Sequence, residues 1–199
     1  MIKIGITGGI ASGKSTAANY CKKKGAYIFN ADQKSKAHLK KSLSLQKKII
    51  NIFGIKIAPN NKIDLDLLAE EAFKNRTNIE ILNGIMWPEV FLLINKEYDE
   101  IKSKNTHTCF IVDAALIFEA NYKNFFDQTI LIIASKKTRL ERAIKRTNIS
   151  LENIQNRIAS QMTDKEKINL ADHVIDNNYT INNLHKKIEA LIDEIISIK

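Results

Sequence analysis

The sequence predicts an α/β protein, a five-stranded parallel sheet flanked by helices, and three observations carry that prediction. Five short apolar runs rich in Ile, Val or Phe recur at Ile2 to Ile6, Ala26 to Asn30, Cys109 to Val112, Thr129 to Ala134 and His173 to Ile175. Short continuous apolar runs are what strands covered on both faces need. Helical patterns separate the runs, and strand-helix alternation builds parallel βαβ units with right-handed crossovers. A glycine-rich stretch follows the first run directly, where such a unit turns from strand into helix.

The elements follow in order. After the first strand and its glycines comes a helix carrying Ala17, Ala18 and Cys21. Roughly 75 residues then separate the second strand from the third, far more than a helical crossover needs, so this span reads as an inserted helical subdomain. Within it Asp64 is placed to cap a helix carrying Leu65, Leu68, Ala69 and Phe73. Thr77-Asn78-Ile79-Glu80 has capping-box spacing ahead of Ile81, Leu82 and Ile85, and Pro88 suits the first turn of a further helix toward Lys104. Leu184, Ile188, Leu191, Ile192 and Ile195 share one stripe of a C-terminal helix. The chain reads as one domain: a core over 1–32, 106–137 and 159–199, a helical substrate-binding insert over 33–105 and a short helical lid over 138–158.

Composition narrows the class. With 199 residues, 44% hydrophobic and 27% charged, the chain can bury a core, which excludes a disordered or fibrous protein. There is no secretory-type leader after Met1 and no apolar stretch near the 18 to 20 residues a membrane helix needs, so the expected location is cytoplasmic. Cys21 and Cys109 form no CxxC pair and read as reduced core thiols; His38, His107, His173 and His185 lack metal-ligand spacing. The net charge of +9 fits a nucleic acid, a membrane surface or an anionic small substrate. Its distribution is more informative. The lysines are spread throughout, whereas four of the five arginines, Arg139, Arg142, Arg146 and Arg157, fall in one short stretch. Arg's planar fork binds phosphate in a bidentate way that Lys cannot, so this stretch reads as a phosphate clamp.

The chemistry concentrates in Gly8-Gly9-Ile10-Ala11-Ser12-Gly13-Lys14-Ser15, which matches GxxxxGK[ST] between a strand and a helix. In a P-loop of this kind backbone N–H groups turn onto phosphate oxygens and the helix adds its positive end. Lys14 would reach the β- and γ-phosphates of ATP, Ser15 would hold Mg²⁺, and Thr16 would lie near the α-phosphate. Open α/β sheets bind ligands beyond the carboxyl ends of their strands. The residues there are polar: Thr7, Ala31-Asp32, Asp113, Ser135 and Asp176-Asn177. Asp32 is either a general base for an acceptor hydroxyl or a helix N-cap. Asp113 is either a Walker-B-like carboxylate that binds Mg²⁺ through water or a structural group. Arg139, Arg142 and Arg146, at i, i+3 and i+7, share one helical face, which reads as a lid over phosphate or as a solvated or RNA-binding face. No aromatic residues interleave with them, which argues against base stacking.

Taken together these segments resemble the dephospho-coenzyme A kinases over nearly the whole chain. The resemblance runs through Ile4 to Thr16, Gly25-Ala26, Asn30-Ala31-Asp32, Phe53-Gly54, Leu82-Asn83, Asp113 with Leu116 to Glu119, the lid arginines, Arg157 with Gln161, and Ala171-Asp172 with Val174-Ile175 and Asn177. It implies a P-loop kinase fold with a core, a coenzyme-binding helical subdomain and a lid. It also implies Mg²⁺-dependent transfer of the ATP γ-phosphate to the ribose 3′-hydroxyl of dephospho-CoA, the last step of coenzyme A synthesis. Asp32 would be the catalytic base, Arg139 and Arg142 phosphate ligands, Thr7 a substrate-side residue and Asn177 an adenine contact. The ATP site would comprise Gly8, Gly9, Ala11, Ser12, Gly13, Lys14, Ser15, Thr16, Arg142 and Asn177. The chain departs from the common family pattern with Ala11 in place of Gly, Trp87 in place of His before Pro88, Ala115 in place of Pro, and Asn178-Tyr179 where Gly is usual soon after the asparagine.

The expected partners are therefore ATP and dephospho-CoA, with no nucleic acid and no membrane, and none of these features specifies an oligomeric state. Another small-molecule or nucleoside monophosphate kinase would share the same loop, insert and arginines. A P-loop RNA-binding module would draw on the positive charge instead. No DxxG follows the third strand, and the one NKxD match, Asn61-Lys62-Ile63-Asp64, lies inside the helical insert rather than beyond a strand of the sheet, so a GTPase switch is not expected.

Overall fold

In the computed structural model the described residues are 1–146, 154–155 and 158–197. Five strands form one parallel sheet: β1 (Ile2–Thr7), β2 (Tyr27–Asn30), β3 (Cys109–Asp113), β4 (Gln128–Ile133) and β5 (His173–Asp176). Their order is β2-β3-β1-β4-β5. All five expected strands are present, and each boundary lies within one residue of its apolar run. The helices are α1 (Lys14–Lys23), α2 (Ala31–Lys41), α3 (Leu43–Phe53), α4 (Leu65–Ala72), α5 (Arg76–Lys104), α6 (Lys136–Arg146), α7 (Asp164–Ile168) and α8 (Ile181–Ser197).

Register sets the level of the site. Asp113 lies opposite Ile6 on β1 and Asn30 on β2, Thr7 lies opposite Leu131, and Ile133 lies opposite Asp176. Every strand's carboxyl end therefore opens on the same edge. The connection leaving β1 runs toward β2 while that leaving β4 runs toward β5, so the switch point lies between β1 and β4, where open sheets place their ligands.

The chain separates into two compact units, Met1–Asn30 with Glu97–Lys199 and Ala31–Lys96. In the first, β1, β3 and β4 are apolar on both faces because helices cover both. Ile4, Ile6, Ile111, Ile130 and Ile132 meet Ala17, Ala18 and Cys21 of α1 and Leu184, Ile188, Ile192 and Ile195 of α8. The predicted C-terminal stripe is thus the buried one. Cys21 and Cys109 are free, buried thiols, and burial pushes the Cys21 thiol up to about 12. The second unit has its own core of Leu39, Leu45, Ile49, Phe53, Ile57, Leu68, Ile85 and Met86. His38 on α2 and Glu89 on α5 join at 2.9 Å across it.

Asp64 caps α4, accepting from the N–H groups of Asp66 and Leu67 at 2.8 and 3.1 Å. The next segment differs from expectation. α5 is one helix of 29 residues with Pro88 inside it, where the sequence suggested a break. Its start is also earlier, since Asn75 Oδ1 accepts the Asn78 N–H at 2.8 Å and Glu80 turns to Arg76 at 2.8 Å, leaving the Thr77 capping box unused. Proline removes one intrahelical bond. Here Ile85 and Met86 before it and Ile94 after it are all buried, so packing on both sides holds the two halves in one helix.

Among the described residues no helix is long and apolar enough to cross a membrane.

Candidate active site

The glycine-rich turn joins β1 to α1 at the switch point. Gly13 has φ +104°, left-handed geometry that glycine adopts without strain, and it starts α1 with no side chain capping the helix. The first bond into the helix runs from the Ala17 N–H to the Gly13 carbonyl at 3.0 Å. The amides of Lys14, Ser15 and Thr16 therefore lack intrahelical acceptors and add to the positive end of the helix dipole, which is an anion-binding arrangement. Within the turn the Ser12 N–H donates to the Gly9 carbonyl at 3.1 Å. Ala11 stands at φ +57°. What the sequence presents as a small change from glycine is thus a left-handed residue carrying a Cβ, a geometry that costs about 1–2 kcal/mol.

Lys14 forms an ion pair with Asp113, whose side chain is 2% exposed, and Asn30 Nδ2 donates to the other Asp113 oxygen at 3.3 Å. Ser15 is exposed and Thr16 half-buried in the first turn of α1. Hard cations take oxygen ligands. The exposed Ser15 hydroxyl and the Asp113 carboxylate offer oxygen donors of the kind Mg²⁺ takes, although Asp113 is engaged by Lys14 and Asn30. Among the described residues no three His, Cys, Asp or Glu side chains gather as a metal cluster.

On α6 Arg139 and Arg142 turn inward. The Arg139 side chain is only 12% exposed, its Nη1 lies 3.5 Å from Asp164 Oδ1, and it passes so close to Gly9 that a Cβ there would overlap the guanidinium. Ile144 takes the solvent side at 55% exposure. A helix that hides arginine and exposes isoleucine is inverted unless the buried charge has a purpose. Among the described residues, Arg139 Nε and Arg142 Nη1 are buried without hydrogen-bond partners, as is Ser12 Oγ. Buried N–H groups nearly always find acceptors, so two unpaired guanidinium nitrogens on the face that passes over the glycine turn point to an anion as the missing partner. The Arg146 side chain and Arg157 lie outside the described residues, as do residues 147–153 of the expected lid.

Other candidates fall differently. Thr7 is fully buried and its hydroxyl donates to the Ala115 carbonyl at 3.1 Å. Asn177 is buried, and its Nδ2 donates to the Ser12 carbonyl at 2.7 Å. Both polar groups are committed to backbone. Asp32, in the first turn of α2 rather than at its cap, has a side chain 75% exposed and paired with Lys36 at 2.9 Å.

One pair was invisible in the sequence. Lys167 on α7 is fully buried, 2.8 Å from Glu119 Oε1 and 3.3 Å from the Ala115 carbonyl that Thr7 also uses. Glu119 Oε1 in turn accepts the Met162 N–H at 3.0 Å. The pair fastens the segment after β3 to the approach to α7, whose first residue is Asp164, the partner of Arg139. In the run Asp164-Lys165-Glu166-Lys167 nothing distinguishes a buried lysine from a solvated one.

The same sequence and fold recur in known proteins. The family model described as Dephospho-CoA kinase matches residues 2–183. The chain belongs to the dephospho-CoA kinase family. It is 39% identical to a dephospho-CoA kinase of Fusobacterium nucleatum over 96% of this chain and 97% of that one. It is 34% identical to one of Chlamydia caviae, over 95% and 94%. A solved dephospho-CoA kinase from Campylobacter jejuni superposes with a TM-score of 0.69 at 27% identity, covering 98% of this chain and 97% of that one. The family thus brings a P-loop kinase fold and an enzymatic phosphotransferase, as the motifs suggested.

Proposed function

We infer that this chain transfers the γ-phosphate of ATP to the ribose 3′-hydroxyl of dephospho-CoA, giving coenzyme A and ADP. The observation that carries the reading is the near full-length family match on a chain whose glycine turn lies against the Arg139 guanidinium, on a helix that buries arginine nitrogens with no partner among the described residues. Phosphoryl transfer asks little covalent chemistry of the protein; it asks for alignment and for donors where charge spreads over the equatorial oxygens.

The chain's own groups divide that work. Backbone amides from Gly8, Gly9, Ala11, Ser12 and Gly13, with those opening α1, hold the triphosphate. Lys14 leaves Asp113 to reach the β- and γ-oxygens. Arg139 and Arg142 donate to the phosphoryl group in transfer and exclude water around it. Asp32 takes the proton from the attacking hydroxyl. Ser15 and Asp113 would hold Mg²⁺, which when bound would screen the phosphate charge. Thr7 and Asn177 serve from behind, through the backbone they hold. The helices over 33–105 bind the coenzyme and residues 138–158 act as the lid. Both substrates are small and anionic, which suits a basic cytoplasmic enzyme without a nucleic-acid or membrane partner.

Pure protein with Mg-ATP is expected to convert dephospho-CoA to coenzyme A, one ADP per product, while leaving AMP and shikimate unphosphorylated. Transfer to either of those, with dephospho-CoA untouched, would replace this reading by the other kinase. Asp32→Asn should lower turnover by about 10²- to 10⁴-fold, the usual contribution of a general base, with ATP affinity retained. Equal losses in both would remove Asp32 from that role.

A further inference from the structure

We propose that the adjacent asparagines Asn177 and Asn178, at the end of β5, are positioning residues that hold the phosphate-binding turn and the arginine helix in register with each other. The proposal deepens the kinase reading and rests on it. In this proposal each side chain acts through the backbone it holds.

The two side chains leave one backbone point in different directions. Asn177 Nδ2 donates to the Ser12 carbonyl at 2.7 Å in a fully buried bond, and it occupies the space a Cβ on Gly13 would need. The left-handed Gly13 and the Asn177 amide are therefore one fitted unit: the glycine makes room and the amide fixes the carbonyl just before it. Asn178 reaches the other way. Its Oδ1 accepts the Ser135 N–H at 2.8 Å and the Thr138 hydroxyl at 3.4 Å. Ser135 itself accepts the Thr138 N–H at its hydroxyl, 3.2 Å, and the Arg139 N–H at its carbonyl, 2.9 Å. Asn178 thus grips the turn that launches α6, one residue before Arg139.

The point from which both reach is itself fixed. The Asn177 N–H donates to the Ile133 carbonyl at 2.8 Å. Asp176 Oδ1 accepts from the Asn178 backbone and side-chain N–H groups at 2.9 and 2.6 Å, and Lys187 of α8 donates to the Asp176 carbonyl at 2.9 Å. A glycine at position 178 could make none of the side-chain bonds. Asn178 therefore supplies an anchor for the arginine helix, and Asn177 supplies one for the turn.

The two anchors predict different kinetic faults. Asn177→Asp replaces an N–H donor by an oxygen facing the Ser12 carbonyl, with almost no change of shape. ADP affinity, measured by calorimetry without any acceptor present, is expected to fall at least tenfold and by more than in Asn177→Ala, because a buried carbonyl is then repelled as well as unpaired. Asn178→Ala is expected to leave ADP affinity within twofold and to lower kcat about tenfold. Because it acts through Arg139, adding it to Arg139→Ala should cost nothing further, the non-additivity expected of residues in one network. Equal ADP affinity in wild type and both Asn177 variants overturns the first anchor. If the Asp variant does not fold, Asn177→Ala with wild-type ADP affinity does the same. Unchanged kcat in Asn178→Ala, or a loss that multiplies with that of Arg139→Ala, overturns the second. The ADP titration is independent of the acceptor, so failure of dephospho-CoA as substrate is recognised separately by the absence of coenzyme A from the wild-type reaction.

Discussion

The two edges of the sheet share the same strands and are built to opposite rules. At the amino edge the polar groups are closed on one another. Asp172, just before β5, accepts the N–H and hydroxyl of Thr129 at 2.9 and 2.7 Å and meets Lys123 at 3.1 Å. Asp127, just before β4, accepts the Lys3 N–H at 2.7 Å, the Tyr98 hydroxyl donates to the Met1 carbonyl at 2.6 Å, and the Tyr27 hydroxyl donates to Glu97. At the carboxyl edge, Ser12 Oγ, Glu119 Oε2, Arg139 Nε and Arg142 Nη1 are buried and find no partner among the described residues, and Ala11 is held left-handed. Unpaired buried polar groups cost stability, about 1–3 kcal/mol each. The amino edge contributes stability, and the carboxyl edge gives some of it up for a site whose charges are aimed in advance.

Substitutions can break that contrast. The largest effect belongs to Arg139→Ala, which should lower kcat/KM by about 10²- to 10³-fold, the scale of losing one preorganised donor, without lowering the melting temperature. A melting temperature that falls with activity would make the arginine structural. Arg142→Lys sharpens the same point, because turnover should drop although the charge is kept.

Lys167→Met tests a place where the carboxyl edge holds a buried ion pair. It leaves Glu119 without its cation, and urea unfolding should register a loss of about 3–5 kcal/mol. A neutral result would show that solvent reaches Glu119 on its own. At the amino edge, Asp172→Asn should cost about 1 kcal/mol at pH 7, reduced because Asp172 is partly exposed, and leave kcat unchanged. Burial raises the Asp172 carboxyl, but Thr129 and Lys123 outweigh it and hold it below the ordinary carboxylate range. Its contribution is therefore complete above the unfolded value near 4 and disappears as pH falls through the lower folded value. The unfolding curves of wild type and the Asp172→Asn variant should converge in acid and separate toward neutral pH. Smallest is Ala11→Gly, expected to stabilise by up to about 1 kcal/mol in thermal unfolding, relief of the left-handed strain exceeding the added flexibility of the unfolded chain. Destabilisation would mean that the Ala11 methyl packs usefully.

Much of this was legible in the chain itself. The strands announce themselves because both faces are covered and alternation is unnecessary, and the phosphate turn because its glycines answer fixed geometric needs at fixed spacing. The buried stripe of α8 was readable for the same local reason. What escaped depends on partners remote in sequence. Pro88 reads as a boundary until the buried residues on either side are known. Lys167 reads as solvated until Glu119, nearly fifty residues earlier, comes beside it. Asn177 reads as a ligand contact by resemblance, and the bond its amide makes to Ser12, 165 residues away, has no local signal.

The most direct test is calorimetric titration of ATP, ADP and AMP into wild type and the Arg139→Ala/Arg142→Ala double variant. If those guanidinium groups await phosphate, the wild type prefers ATP to AMP by about 10²-fold or more, and the variant loses most of that preference while holding AMP nearly as well. An undiminished preference for ATP in the variant would contradict the account.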